Sequence, residues 1–361
     1  MVVDTSHLNC SDLDQLNLTD VARASTYLIS PGARTLALAV QLTAFAIGVP
    51  GNLSFLVSVA RVPYMRTITN YFLVSLSIAD LTFLLFTVTS YLLYLTAPVR
   101  SHIHSLVNLS CPVSFSIPFL TYFASVGTIW LVSAERYSAI CRPLKHIAAH
   151  TKKRAVKLIL ATWAVSCGLS ALAVLQYVSP DKFCVTWPDS DDDKFSGLPD
   201  IIGFCLPLAP WAIVVGNLTA SLPFLVALIS NMIMYIQIIR TLSTRPVTTP
   251  NSSPEDGKQG MSAKARVVRN QVARMLIING SVFFFCQLPY AVINLIYVGS
   301  YVRGLTFLQI NELQNSLRIF SHSLLFINSA INPIIYYAIC PSYRRAVRIA
   351  LTSNTHSTEV S

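Results

Sequence analysis

A single carboxylate, Asp80, stands in the middle of an apolar run, within Leu76-Ser77-Ile78-Ala79-Asp80. An ionisable group in that much hydrocarbon is costly, so its presence points to a bound cation, ordered water or a moving charge. Asn52, Ser125, Asn328 and Asn332 are polar residues at similar depth in other apolar runs. Converging on Asp80, they make an oxygen-rich pocket for a small hard cation; the alternative is a hydrogen-bond network that ties helices together without an ion. A second set, Glu135-Arg136-Tyr137, closes the third apolar run. Glu beside Arg forms a local pair, and opening it frees a guanidinium fork for an incoming helix. The alternative is an Arg reaching out to lipid headgroups. The third set is made of cysteines. Cys111 opens the third run, while Cys184 and Cys205 lie in the long segment 178–208. In an oxidising compartment Cys111 has either as a partner, with Cys10–Cys205 a candidate second bridge. Cys141, Cys167, Cys286 and Cys340 read as free thiols, with Cys340 a candidate for acylation. No nucleophile–base set, paired carboxylates or glycine-rich phosphate loop accompanies them, and His322 is alone among the histidines in lying within a run. The chain does not read as an enzyme.

The elements that must hold these groups are membrane helices. The chain has 361 residues, 53% of them hydrophobic and only 12% charged, about half the charge of a soluble domain. Seven runs near 36–60, 70–96, 111–141, 155–177, 209–240, 271–299 and 313–338 each exceed the roughly 20 residues that cross a bilayer core. The net charge of +10 suggests nucleic acid until it is sorted by side. With the N-terminus outside, one face carries 7 Lys/Arg and 11 Asp/Glu, the other 19 Lys/Arg and 4 Asp/Glu. That is the positive-inside asymmetry that orients membrane proteins, and it argues for membrane lipid and against nucleic acid as the partner of the basic face.

The fold class is therefore an all-α membrane protein, a seven-helix bundle. Residues 1–35 read as an extracellular tail, 36–340 as the membrane domain, and 341–361 as a cytoplasmic amphipathic helix and tail. The opening residues have no apolar core before a cleavage site, so no signal peptide is expected. Asn9, Asn17 and Asn108 open N-glycosylation triplets on the expected outer side, whereas the triplet at Asn217 lies within a run. Pro50, Pro118, Pro223, Pro289 and Pro333 fall inside runs, where kinks serve as hinges or as static packing features.

In this order the residues resemble the rhodopsin-like (class A) family of G-protein-coupled receptors, over roughly residues 36–351. The markers are Gly51-Asn52, Leu76 to Asp80, Cys111, Glu135-Arg136-Tyr137, Trp163, Pro223, Phe283 to Pro289 and Asn332-Pro333-Ile334-Ile335-Tyr336. The resemblance implies that Asp80, Ser125, Asn328 and Asn332 form an allosteric sodium site and that Arg136 meets the G protein. It also implies a Cys111–Cys184 disulfide. It makes Glu135, Tyr137, Asn231, Asn332, Pro333 and Tyr336 parts of the switch. No other cofactor is expected. Pro118 stands where amine receptors carry Asp, which argues against an amine, and no Lys in the seventh run offers a retinal attachment. Two residues depart from the family: Gln287 replaces the usual Trp before Leu288-Pro289, and Asn231 replaces the usual Tyr. With Gly127 to Leu131 and Cys141-Arg142-Pro143-Leu144, they look most like invertebrate FMRFamide-type neuropeptide receptors.

The functional expectation is a plasma-membrane receptor for an extracellular neuropeptide, of the RFamide type, that activates heterotrimeric G proteins. Phe119, Tyr122 and Phe123 would floor the ligand site, with Gln287, Glu312, Arg318 and His322 around it. The Ser/Thr-rich tail after Thr352 would serve receptor kinases and arrestin. A chemosensory receptor for small molecules is the alternative within the fold. A transporter is disfavoured by the absence of an inverted repeat.

Overall fold

Each long apolar run becomes one helix in the computed structural model. The structure describes residues 10–99, 111–144, 146, 151–189, 193–244, 257–304 and 312–352, without the side chains of 93, 94, 193, 257–269 and 312–315. Seven of the described helices are long and apolar enough to cross a membrane. They are α1 (Pro31–Arg61), α2 (Ile68–Thr96), α3 (Cys111–Cys141), α4 (Lys152–Val174), α5 (Pro210–Thr244), α6 (Gly257–Val302) and α7 (Glu312–Ile339). A short helix, α8 (Pro341–Thr352), follows α7 after Cys340. Their limits lie within five residues of the expected ones, except that α6 begins 14 residues early, at Gly257 against the expected 271, and caps explain two of the starts. Ser30 Oγ accepts from the Ala33 amide with Pro31 in the first turn, and Thr151 Oγ1 accepts from the Arg154 amide.

The five interior prolines all lie within helices. Large apolar side chains on the outward faces, among them Leu160, Val165, Val226, Ile229 and Phe285, are exposed, as a lipid-facing surface requires. With lipid as solvent, helices associate by close packing and buried polar contacts rather than by the hydrophobic effect. Gly48 shows the first of these. A Cβ there would stand 2.6 Å from Leu84 Cδ1 and 3.0 Å from the Ala330 backbone, so α1 meets α2 and α7 only because it is glycine.

One end of the bundle carries a small three-stranded sheet. β1 (Asp14–Asn17) pairs in parallel with β2 (Ser179–Thr186), and β2 pairs antiparallel with β3 (Ile201–Leu206). Leu16, Leu18, Ala24, Tyr27, Val185, Phe195, Ile202 and Phe204 form a core of their own beneath it. Segments 1–35 and 178–208, expected as a tail and a loop, therefore supply a folded lid from residue 10 onward, and α1 begins five residues early. The alternation of Gln15 and Asn17 outward with Leu16 and Leu18 inward drives this.

The disulfides differ from the expectation. Cys10 bonds Cys184 and Cys111 bonds Cys205; neither Cys111–Cys184 nor Cys10–Cys205 forms. The strand register gives the reason. Cys205 faces Pro180 at the foot of the hairpin, where it enters the bundle beside α3. Cys184 faces Ile201 further along the hairpin and Gln15 of β1, so its neighbour is the N-terminal segment.

Candidate functional site

Three groups of polar side chains lie along the bundle axis. Nearest the sheet is an aromatic cluster. The Phe115 and Tyr177 rings stack at 4.0 Å, with Phe119 6.3 Å from Tyr177. Tyr122 meets Tyr290 at 5.7 Å, Tyr290 meets His322 at 5.6 Å, and His322 meets Tyr91 at 5.2 Å. Tyr91, Phe115, Tyr177, Tyr290, Tyr297, Arg318 and His322 are half-buried, while Phe119, Tyr122 and Phe123 are buried. The Tyr122 hydroxyl donates to the Ala220 carbonyl at 2.9 Å, which leaves only its ring to the cluster.

The α6 wall follows helical spacing: Gln287, Tyr290, Asn294 and Tyr297 fall at i, i+3, i+7 and i+10, one face of the helix. Gln287 Oε1, Asn294 Nδ2 and the Tyr297 hydroxyl are buried without a hydrogen-bond partner. Buried polar atoms normally find partners, so these are positions for water or ligand. Of the expected ligand residues, Phe119, Tyr122, Phe123, Gln287, Arg318 and His322 come together here; the Glu312 side chain lies outside the described residues. Tyr91, Phe115, Tyr177, Tyr290, Asn294 and Tyr297 were missed by the sequence reading, although the α6 spacing was legible.

At mid-bundle, Asn332 Nδ2 donates to Asp80 Oδ2 at 2.6 Å. Asn52 Nδ2 donates to the Gly48 and Ser329 carbonyls at 2.9 and 3.0 Å, binding α1 to α7. Ser125 and Asn328 are buried, and among the described residues no direct hydrogen bond joins either to Asp80. The Oδ1 atoms of Asn52, Asn328 and Asn332 and the Ser77 hydroxyl have no partner. One carboxylate with neutral oxygen acceptors left over is a donor set that suits a small hard cation with its water. Trp163 of α4 donates to Ser75 at 3.0 Å and packs outside this group.

The opposite end is closed. Arg136 Nε meets Glu135 Oε2 at 2.6 Å, and its Nη2 donates to Thr69 of α2, so the expected Glu–Arg pair is present with an added partner. Tyr137 lies beneath the Arg142 guanidinium at 5.4 Å. Tyr336, on the turn after Asn332 and Pro333, is fully buried against Phe55 at 5.3 Å and Tyr343 at 6.0 Å. Asn231 is also buried, its Nδ2 donating to the Ala227 carbonyl and its Oδ1 without a partner.

α8 docks beside this face. The Tyr343 hydroxyl donates to Asn70 Oδ1 at 2.6 Å, and Arg61 Nη1 donates to the Ala350 carbonyl at 2.9 Å. Burial pushes the Tyr343 phenol well above its ordinary range. Cys340 is buried with its Sγ 3.5 Å from Met275 Sδ, and burial lifts its thiol to about 11.

Among the triplets, Asn17 is exposed, its Oδ1 accepting from the Thr19 amide and hydroxyl. Asn217 is buried and donates to Gln176. Asn9 and Asn108 lie outside the described residues.

Seven membrane-length helices make this a multi-pass membrane protein. Residues 51–336 match the family described as 7 transmembrane receptor (rhodopsin family), and the chain belongs to that family, whose members are receptors rather than enzymes. It is 28% identical to the growth hormone secretagogue receptor type 1 of Sus scrofa over 309 residues, 84% of this chain and 77% of the relative. It is 27% identical to galanin receptor 2a of Danio rerio over 316 residues, 84% of this chain and 74% of the relative. The thyrotropin-releasing hormone receptor of Gallus gallus is 26% identical over 355 residues, 93% of this chain and 83% of that one.

Proposed function

We propose that the protein is a plasma-membrane receptor that binds an extracellular peptide at the sheet end and activates a heterotrimeric G protein at the opposite end. The observation that carries the reading is the aromatic cluster at the sheet end, with its row of unpartnered polar atoms along α6. From Gln287 to Tyr297 the row spans roughly 15 Å, the length of about four or five extended residues. Spaced donors and acceptors of that reach match successive backbone amides better than a compact odorant, which favours the peptide reading over the chemosensory one. The relatives, receptors named for growth hormone secretagogue, galanin and thyrotropin-releasing hormone, support the same choice.

An RFamide-type peptide is the finer proposal. Its terminal Phe would enter the aromatic basket and its amide carbonyl would meet Arg318. Its own Arg would stay near the acidic outer segments, whose sign steers a cationic peptide inward. In this orientation α8 and the basic loops face the cytoplasm, where Arg344, Arg345 and Arg348 favour anionic lipid. The tail beyond Thr352 would serve receptor kinases and arrestin. Asn17 would be glycosylated, as would Asn9 and Asn108.

Binding shifts the bundle only by the ligand's differential affinity for two packings. In the active one Arg136 leaves Glu135 and Thr69, α6 moves outward, and Asn231 and Tyr336 line the opened space. Asp80, Asn332, Asn328 and Ser125 would hold a sodium ion, which supplies positive charge at the buried Asp80 carboxylate. Sodium would favour the closed packing, so sodium and agonist oppose each other reciprocally.

The test is calcium release in cells with a promiscuous G protein, screened against amidated peptides, with Arg136→Ala as control. A response to Arg-Phe-amide peptides that is lost in the variant supports both ends of the reading. Silence to peptides with a response to small odorants would replace it by the chemosensory one.

A further inference from the structure

We infer that Tyr235 is a positioning residue of the switch: its hydroxyl latches α5 to α3 under a glycine window in α6 and holds the closed packing. This rests on the proposed G-protein reading and adds a residue that the motifs do not name. Tyr235 is buried on α5, one turn beyond Asn231, and its hydroxyl lies 2.8 Å from Ser133 Oγ on α3. Ser133 Oγ already donates to the Ile129 carbonyl at 2.9 Å, so its proton is committed and the Tyr235 hydroxyl is the donor between them. Ser133 is one turn before Arg136, on the same face of α3.

The third wall is α6. A Cβ built on Gly280 would overlap the Tyr235 hydroxyl, so α6 lies directly over the latch only because position 280 has no side chain. Ile140, Ile238 and Ala273 pack around the ring and keep solvent from the bond. One hydroxyl thus joins α3 to α5 and is covered by the helix that must move for a cavity to open. Moving α6 outward uncovers the hydroxyl and lets water compete for it. The latch also accounts for Asn231: the tyrosine missing at that position is present one turn further on, serving the closed packing.

The experiment measures ligand-free G-protein activation at matched surface expression in Tyr235→Phe, Ser133→Ala, the double variant and Gly280→Ala. Loss of one interhelical hydrogen bond shifts a two-state balance about three- to tenfold. Tyr235→Phe and Ser133→Ala should each raise basal activity by that factor, and the double variant no further, because both remove the same bond. Gly280→Ala, which wedges α6 off the hydroxyl, should raise it too.

A second readout separates this inference from the coupling reading. Spin labels at Arg142→Cys and Arg274→Cys, with Cys141 and Cys167 replaced by Ser, report the α3–α6 separation in purified receptor without any G protein. Tyr235→Phe should populate a longer distance. A lower melting temperature with unchanged separation and unchanged basal activity overturns the latch. A longer distance without signalling keeps the latch and overturns the coupling reading.

Discussion

At the sheet end, Cys10–Cys184 and Cys111–Cys205 fasten a three-stranded lid over side chains whose polar atoms lack partners. At the opposite end, Arg136, Tyr235 and Tyr343 each hold a neighbouring helix through a hydrogen bond, to Thr69, Ser133 and Asn70. A disulfide contributes typically 2–4 kcal/mol, an interhelical hydrogen bond about 0.6–1.7 kcal/mol. The first end is thus fixed in shape and unsatisfied in hydrogen bonding, as a receptacle should be. The second also keeps buried polar atoms without partners, at Asn231 Oδ1, the Asn279 amide and the Tyr336 hydroxyl, but its helices are joined by bonds weak enough for a ligand's differential affinity to reverse. A switch needs both: a rigid place for binding energy to enter, and a bistable place for it to act.

The contrast is broken most sharply at Arg136. Arg136→Ala should reduce ligand-driven G-protein activation more than tenfold while peptide affinity changes only a few-fold, because the side chain belongs wholly to the closing end. Equal losses of affinity and signalling would mean that the two ends are not separable. The disulfides come next, and they test the pairing itself. Cys111→Ser and Cys205→Ser should behave alike, with surface expression and ligand binding both largely lost. Cys184→Ser should resemble Cys10→Ser, with binding weakened but folding retained, since that bridge fastens only the N-terminal strand. A Cys184→Ser defect as deep as that of Cys111→Ser would restore the pairing expected from the sequence.

Between the ends sits Asp80, and the expected effect there is smaller. Sodium should lower agonist affinity several-fold in the wild type, and Asp80→Asn should abolish that loss, measured by competition binding in sodium against N-methylglucamine buffer. An undiminished sodium effect in the variant would make the cluster a hydrogen-bond network and nothing more.

The two ends also differed in how legible they were in the sequence. The opposite end is written in local strings: Glu135-Arg136 adjacent in the chain, Asn332 to Tyr336 on one turn, Pro341 to Thr352 with apolar and basic faces. Short-range spacing fixes such geometry. The spans were legible for the same reason, since twenty apolar residues in lipid have one low-energy backbone. At the sheet end the decisive facts are long-range. Whether Cys111 meets Cys184 or Cys205 depends on the register of a hairpin and on a strand some 170 residues earlier, which no local pattern encodes. Thr69 reaching Arg136 and Tyr235 reaching Ser133 were illegible likewise, because each needs the relative rotation of two helices. The α6 row of Gln287, Tyr290, Asn294 and Tyr297 is the exception: its spacing is in plain view, yet only Gln287 stands out in the sequence, because Tyr290, Asn294 and Tyr297 are ordinary neutral residues that match no motif.

The smallest expected effect concerns Cys340, where the sequence suggested acylation. The thiolate is the nucleophile, and burial lifts this thiol from an ordinary value of 9.0 to about 11. Its reactivity should therefore stay low through neutral pH and rise only as the pH approaches 11. Maleimide labelling at pH 7.5 should be much slower at Cys340 than at an Arg345→Cys reference on the exposed face of α8. Acylation would require α8 to leave its dock, breaking the Tyr343–Asn70 and Arg61–Ala350 bonds as it goes. Metabolic palmitate incorporation that disappears in Cys340→Ser would show that α8 undocks in cells. In that case the reversible character of the opposite end extends past Arg136 to the helix that follows the bundle; an unlabelled wild type would confine it to the contacts among α2, α3, α5 and α6.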